Sequence, residues 1–255
     1  MPDLLAYDVH GEGTPVVLLH GLTFDRSVWR PVEERLGDGI QSIAIDLPGH
    51  GDSTAAPAPM PDVAESIHAT IEAIGLDEPP LLVGHSISAV ISLLYATRHP
   101  VRGVVDVDQP LDPRPFAELL QRMAPALRDD FPTAFQPIQN SLGIDLLPEP
   151  ARSRVLASQR IDRDLVLAYW VPLLTIDPAE ARAGNERLMA ALDAPFLGLF
   201  TRELPPEERR FMAAHLRDVE LVEWPSGTHL AFVAEPERFV GVVREFVAQT
   251  APASP

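Results

Sequence analysis

A serine in the first half of the chain has the neighbours that a catalytic nucleophile requires. Ser86 follows the apolar run 81–83, with Gly84 two residues before it and an apolar, helix-like segment at 87–97 after it. A serine on a sharp turn between a buried strand and a helix projects its hydroxyl above the sheet, and small neighbours avoid collisions there. The helix would direct its N-terminal N–H groups at the oxyanion formed on a substrate carbonyl. We therefore expect Ser86 to be the nucleophile of an acyl-transfer reaction.

The general base is expected to be a histidine near the C-terminal end. His229 follows an apolar strand-like stretch at 219–223 and a polar loop at 224–228. An imidazole can take up and return a proton near neutral pH without a large pKa shift. His20 and His85 are expected instead to shape the backbone around Ser86. We therefore predict that His229 activates Ser86.

Two further segments complete a pattern. His20-Gly21-Leu22 begins at the last residue of a strand-like run at 15–20. Residues 46–53 read Asp-Leu-Pro-Gly-His-Gly-Asp-Ser. With Gly-His-Ser-Ile-Ser at 84–88, these segments have the order and spacing of the α/β-hydrolase superfamily, which the chain resembles over nearly its whole length except residues 110–183. The resemblance implies an oxyanion hole formed by the N–H groups of Leu22 and Ile87, and an architectural role for the 46–53 turn. Ser88 stands where the family pattern has a second glycine.

The acid that would orient His229 has more than one candidate. The superfamily usually has an aspartate after the strand that would end here at Phe200, but residues 201–205 read Thr-Arg-Glu-Leu-Pro. A second position, used by haloalkane dehalogenases among others, lies at the end of the strand after the nucleophile helix, where this chain has Asp108. We expect Asp108 to be the acid, with Glu203 as the alternative. The other options are Asp106, Asp112 or no acid.

The organisation of the chain predicts an α/β fold. Short apolar runs alternate with longer amphipathic segments, as in βα units on a mostly parallel sheet flanked by helices. Between residues 110 and 183 this alternation stops, prolines become frequent, and apolar residues recur at helical spacing. We predict an α/β-hydrolase core formed by residues 1–109 and 184–255, with a helical lid at 110–183. A separate small domain is the alternative for that insert.

Composition excludes several classes of function. Acidic residues outnumber basic ones by 37 to 20, giving a net charge of −17, so neither nucleic acid nor an anionic membrane is an expected partner. The chain has no cysteine and no His-Glu-x-x-His or Gly-x-Gly-x-x-Gly pattern, so we expect no metal and no cofactor. The N-terminal segment does not resemble a signal peptide, and a cytoplasmic protein is expected. The sequence predicts no oligomeric state.

These features together predict a cofactor-independent serine hydrolase. Its expected partner is a small-molecule acyl substrate, namely a small to medium apolar ester, thioester or lactone, cleaved through an acyl-enzyme intermediate. A C–C bond hydrolase using the same residues is one alternative. A non-catalytic binding protein with this fold is another, and Ser88 and the displaced acid are the features that favour it.

Overall fold

The central sheet contains seven strands within residues 4–251, which are the residues that the computed structural model describes. Their spatial order is β1-β3-β2-β4-β5-β6-β7, with β1 antiparallel to β3 and all other neighbours parallel. The strands are β1 (Tyr7–His10), β2 (Gly13–Leu19), β3 (Gly39–Ile45), β4 (Leu81–His85), β5 (Gly103–Val107), β6 (Phe196–Phe200) and β7 (Val219–Glu223). The predicted mostly parallel sheet is confirmed, while the edge strand β1 was not predicted.

Eleven α-helices accompany the sheet within the same residues. They are α1 (Arg30–Leu36), α2 (Met60–Ile74), α3 (Ile87–Ala96), α4 (Arg114–Asp129), α5 (Phe131–Ser141), α6 (Ala151–Ser158), α7 (Arg163–Thr175), α8 (Pro178–Ala191), α9 (Pro206–His215), α10 (Ala231–Ala234) and α11 (Pro236–Gln249). None of these helices combines the length and the apolar character needed to span a bilayer.

Helices cover the sheet on both faces, because its central strands are apolar on both sides. Val16 and Leu18 of β2 pack in one cluster with residues of α1 and α11. Val17 and Leu19, which point the other way, pack with residues of α2 and α3. Such continuous apolar runs are typical of parallel strands buried on both faces. The strand ends are thereby held in a rigid layer.

Helices α4 to α8 lie between β5 and β6 and occupy the segment predicted as an insert. Four of them lie wholly within residues 110–183, but α8 continues to Ala191, so the predicted boundary between residues 183 and 184 falls inside one continuous helix. The insert has a hydrophobic cluster of its own, with Phe135 and Trp170 among its buried residues. Leu22, in the loop after β2, packs against this cluster. The insert therefore contacts the carboxyl-end loops of the sheet directly.

Candidate active site

Ser86 occupies a strained turn between β4 and α3. Its backbone has φ 55° and ψ −131°, a conformation that non-glycine residues rarely adopt. The Ser86 N–H donates a hydrogen bond to the Val107 carbonyl on β5 (2.9 Å), which helps to hold the turn. A Cβ atom placed on Gly84 would lie 2.4 Å from the Ser88 carbonyl oxygen, so only glycine fits there. The strand–turn–helix geometry at Ser86 is the one that the sequence predicted.

Ser88, at the position of the missing glycine, is accommodated by a specific contact. The residue is fully buried, and its hydroxyl donates a hydrogen bond to the His20 carbonyl oxygen (2.5 Å). Ser88 therefore leaves the turn intact and adds a hydrogen bond to the loop that follows β2.

That loop runs close to the turn. A Cβ atom on Gly21 would lie 2.7 Å from His85 Nδ1 and 3.3 Å from Ser86 Cβ, so a glycine permits the approach. The N–H groups of Leu22 and Ile87 donate no hydrogen bond to any group within residues 4–251. Both residues line the same cavity as Ser86. Two free donors beside a serine can bind an oxyanion.

Asp108 and His229 form a hydrogen-bonded pair. His229 Nδ1 lies 2.6 Å from Asp108 Oδ2, and with an ionised carboxylate as acceptor this nitrogen carries the proton. Asp108, which follows β5 with φ 63°, also accepts hydrogen bonds from the Thr201 N–H (2.8 Å) and the Thr201 hydroxyl (2.6 Å). His229 Nε2 makes no hydrogen bond within the described part of the chain, so its lone pair is free to accept a proton. Thr201 was not singled out in the sequence, although it directly follows β6, the strand beside β5.

The other acid candidates form no hydrogen bond or ion pair with His229 within residues 4–251, although Asp112 lines the same cavity. Glu203 is exposed, does not line the cavity that holds Ser86, and has no contact with His229 in residues 4–251. Asp112 is bound by Arg114 and Arg182.

Asp106 is fully buried. Its Oδ1 accepts a hydrogen bond from the Gln109 N–H (2.8 Å), whereas its Oδ2 has no partner in the described chain. Burial raises the pKa of Asp106 well above its usual value, which favours the neutral carboxyl group. In its neutral form the carboxyl group needs no cation to pair with it.

The loop that carries His229 is held from two sides. The His229 N–H and the Thr228 hydroxyl both donate to the carbonyl oxygen of Leu142 at the end of α5 (3.0 and 3.2 Å). On the other side, His85 Nε2 donates to the His229 carbonyl oxygen (3.0 Å). Burial lowers the pKa of His85 well below its usual value, so the ring is neutral. The insert and the turn at Ser86 thus jointly fix the position of the imidazole.

Two further buried histidines brace the neighbouring loops. His20 Nδ1 donates to the Gly21 carbonyl (2.9 Å), and its Nε2 accepts from the Leu47 N–H (3.1 Å). Burial lowers the pKa of His20 to about 4 and that of His50, whose ring lies 4.9 Å from that of His20, to about 3. Both rings are neutral at pH 7, and their hydrogen bonds are to the backbone.

The 46–53 turn is tied down by its first residue. The Asp46 carboxylate is fully buried and accepts hydrogen bonds from the Arg26 guanidinium, the Arg26 N–H (2.7 Å) and the Asp52 N–H (2.8 Å). Asp46 does not line the cavity, so its contacts hold the turn in place without reaching the site itself.

One cavity of about 1040 Å³ contains Ser86, Asp108 and His229 in its lining, together with Leu22 and Ile87. Most of the remaining wall is apolar and comes from α3 and the insert. These apolar residues include Val90, Leu94, Phe116, Phe135, Ile138, Trp170 and Leu173. Within residues 4–251, no group of three or more His, Cys, Asp or Glu side chains is arranged to hold a metal ion.

Comparisons with known proteins agree with this architecture. The chain is 29% identical to a pimeloyl-[acyl-carrier protein] methyl ester esterase of Neisseria meningitidis serogroup A over 248 residues, which cover 91% of this chain and 76% of that protein. A protein of the same name from Chromobacterium violaceum is 28% identical, over 92% of this chain and 94% of its own length. Among solved structures, a thermophilic esterase from Thermogutta terrifontis superposes with a TM-score of 0.80 at 25% identity, covering 97% of this chain and 94% of that one. The sequence profile of the alpha/beta hydrolase family matches residues 16–242, and the chain is therefore a hydrolase that belongs to this family.

Proposed function

We propose that this enzyme hydrolyses esters of apolar, medium-length acyl chains through an acyl-enzyme on Ser86. The observation that carries the proposal is the 2.6 Å contact between His229 and Asp108 in the cavity that Ser86 also lines. The carboxylate favours the His229 tautomer that carries its proton on Nδ1, which leaves Nε2 as the base. Selecting this tautomer is the task of the acid in a catalytic triad. The esterases among the relatives support the same reaction.

The proposed mechanism gives each of these residues a step. His229 Nε2 takes the Ser86 proton while Oγ attacks the ester carbonyl, and the N–H groups of Leu22 and Ile87 stabilise the resulting oxyanion. The C–O bond to the alcohol then breaks, and His229 returns the proton to the departing oxygen. A water molecule, deprotonated by His229, attacks the acyl-enzyme in the same manner. Collapse of this second intermediate releases the carboxylic acid and restores the Ser86 hydroxyl.

The substrate class is proposed from the cavity. Its volume of about 1040 Å³ lies at the upper end of the range of about 300–1,000 Å³ that is usual for small-molecule sites. Aromatic and aliphatic side chains from the insert form much of its wall, and we propose that residues 110–183 act as the lid that encloses the acyl chain. The two curated relatives named above act, by their names, on a methyl ester of a carrier-bound acyl group, which is consistent with an acyl chain in the cavity and a small alcohol as leaving group.

A fluorophosphonate probe tests the nucleophile. We expect rapid stoichiometric labelling of the wild-type enzyme, loss of labelling in Ser86→Ala, and normal labelling in Ser66→Ala, a control on α2 outside the cavity. Hydrolysis of p-nitrophenyl esters should have its highest kcat/KM at medium chain length rather than at acetate. An unlabelled wild-type protein that still binds such esters would instead support the non-catalytic binding protein.

A further inference from the structure

We infer that Ser88 is a positioning residue that fixes the distance between the two donors of the oxyanion hole. The inference rests on the proposed function, because it concerns the N–H groups of Leu22 and Ile87. These donors belong to two separate segments, the loop after β2 and the first turn of α3. Ser88 joins the segments through its hydroxyl, which a glycine at this position would lack.

The contact lies next to both donors. Ser88 directly follows Ile87, and His20, whose carbonyl oxygen accepts the Ser88 hydroxyl at 2.5 Å, lies two residues before Leu22. The serine is fully buried, so water does not compete for this hydrogen bond. A change in the bond therefore alters the separation of the two segments directly.

The acceptor end of this link is rigid. The His20 ring donates to the Gly21 carbonyl (2.9 Å) and accepts from the Leu47 N–H (3.1 Å), so His20 is held on both sides of its ring. Because the ring is neutral and fully buried, these two bonds persist throughout the neutral pH range. The Ser88 hydroxyl thus ties α3 to a loop that is already fixed.

The donor end is part of the helix. The Ser92 hydroxyl donates to the Ser88 carbonyl oxygen (2.8 Å) one turn further along α3, and Ser92 is also fully buried. This second bond lies within one helix and does not reach the loop. Ser92 therefore provides a matched control, since its loss removes a buried serine hydroxyl bond from the same helix without separating the two donors.

Loss of the link should lower transition-state stabilisation rather than substrate binding. Removing an oxyanion-hole donor typically costs about 10²- to 10³-fold in kcat. Displacing a donor by a fraction of an ångström costs less, so we expect kcat to fall on the order of 10-fold in Ser88→Ala. KM should stay within about twofold, and the pH profile of kcat/KM should not move, because the base and its acid are untouched.

The experiment compares Ser88→Ala with Ser92→Ala, using fluorophosphonate titration to count active sites. A trifluoromethyl ketone, whose hemiketal places an oxyanion in the hole, should bind Ser88→Ala more weakly by the same factor as kcat/KM falls. Ser92→Ala should retain both values within twofold. If Ser88→Ala does not fold, Ser88→Gly, which restores the residue common in the family, replaces it with the same expectation.

The outcomes separate the inference from the function on which it rests. A wild-type enzyme that is labelled, together with unchanged kcat and inhibitor affinity in Ser88→Ala or Ser88→Gly, overturns the inference alone. Equal losses in the Ser88 and Ser92 variants also overturn it, because they indicate a general effect on the helix. A wild-type protein that is not labelled overturns the proposed function, and the inference with it.

Discussion

The two walls of the cavity hold their residues in different ways. The wall at the strand ends contains every non-glycine residue with positive φ within residues 4–251, namely Thr23 (73°), Ser86 (55°) and Asp108 (63°). The wall formed by the insert consists of helices. Their side chains Phe116, Phe135 and Trp170 pack against one another and line the cavity. Strained backbone persists only where the surrounding structure over-determines it. The strand-end wall thus holds polar groups in fixed positions, whereas the insert determines the shape of the apolar part of the cavity.

The largest difference between the two walls should be seen at Asp108. We expect Asp108→Asn to lower kcat on the order of 10⁴-fold, because the amide no longer fixes the His229 tautomer or stabilises the imidazolium ion. Glu203→Gln is the matched control, an exposed carboxylate that should change kcat less than about twofold. Steady-state kinetics on a p-nitrophenyl ester measure both, and a large loss in the Glu203 variant alone would reverse the assignment of the acid.

Lowering the pH should reduce the free energy of unfolding through His20 and His50, which brace the loops next to the strand-end wall. The unfolded chain protonates His20 and His50 as the pH falls through about 6.5, whereas the folded protein resists until about pH 4 and about pH 3. Both pKa values are depressed on folding, so the unfolded state binds more protons and stability falls as pH decreases from 6.5 toward 4. At about pH 5 the loss is about 2 kcal/mol for each histidine.

Urea unfolding at pH 7 and pH 5 measures this loss. His50→Asn keeps a donor near the Pro48 carbonyl, which His50 Nδ1 contacts at 3.1 Å, but cannot be protonated. Its stability should therefore depend less on pH, by about 2 kcal/mol over this interval. A dependence as steep as that of the wild-type protein would contradict the assignment of His50.

On the insert wall we expect effects on KM instead. Phe116→Ala removes an aromatic side chain that lines the cavity, and KM for a medium-chain ester should rise about 10-fold while kcat changes little. Leu119→Ala, one turn along α4 and outside the cavity, should leave KM unchanged. If Phe116→Ala lowered kcat with KM unaltered, shape would not be the role of this wall.

The smallest effect should come from Asp106, two residues from Asp108. Burial favours the neutral form of its carboxyl group, and Oδ1 accepts one backbone hydrogen bond, so Asp106→Asn keeps a neutral side chain with an acceptor. We expect the free energy of unfolding at pH 7 to change by less than about 1 kcal/mol, with kcat close to wild type. A loss of activity matching that of Asp108→Asn would show that the two carboxyl groups act as one unit.

Local patterns sufficed to predict strands β2 to β7, the turn at Ser86 and the histidine loop, because each of these depends on residues close together in the chain. Strand β1 escaped prediction because its four residues, Tyr-Asp-Val-His, are mostly exposed and show no apolar run. The predicted boundary between residues 183 and 184 falls inside α8, and no break in the helical pattern marks the point where that helix ends.

The sequence predicted Asp108 as the partner of His229, with Glu203 as the alternative, but the other contacts of the site could not be predicted, since they join residues far apart in the chain. Only the adjacency of β5 and β6 places Thr201 beside Asp108. The bond between Ser88 and His20 spans 68 residues and depends on the register of β2 against β4. No periodicity in the sequence reports such a pairing.

The shared acceptor at Leu142 has a consequence for engineering. Because one main-chain oxygen directly after α5 accepts hydrogen bonds from both Thr228 and His229, exchanging the helical segment for that of a homologue would alter the anchoring of the imidazole as well as the pocket. A chimera should therefore keep the short stretch around residue 142 and graft only the helices on either side of it.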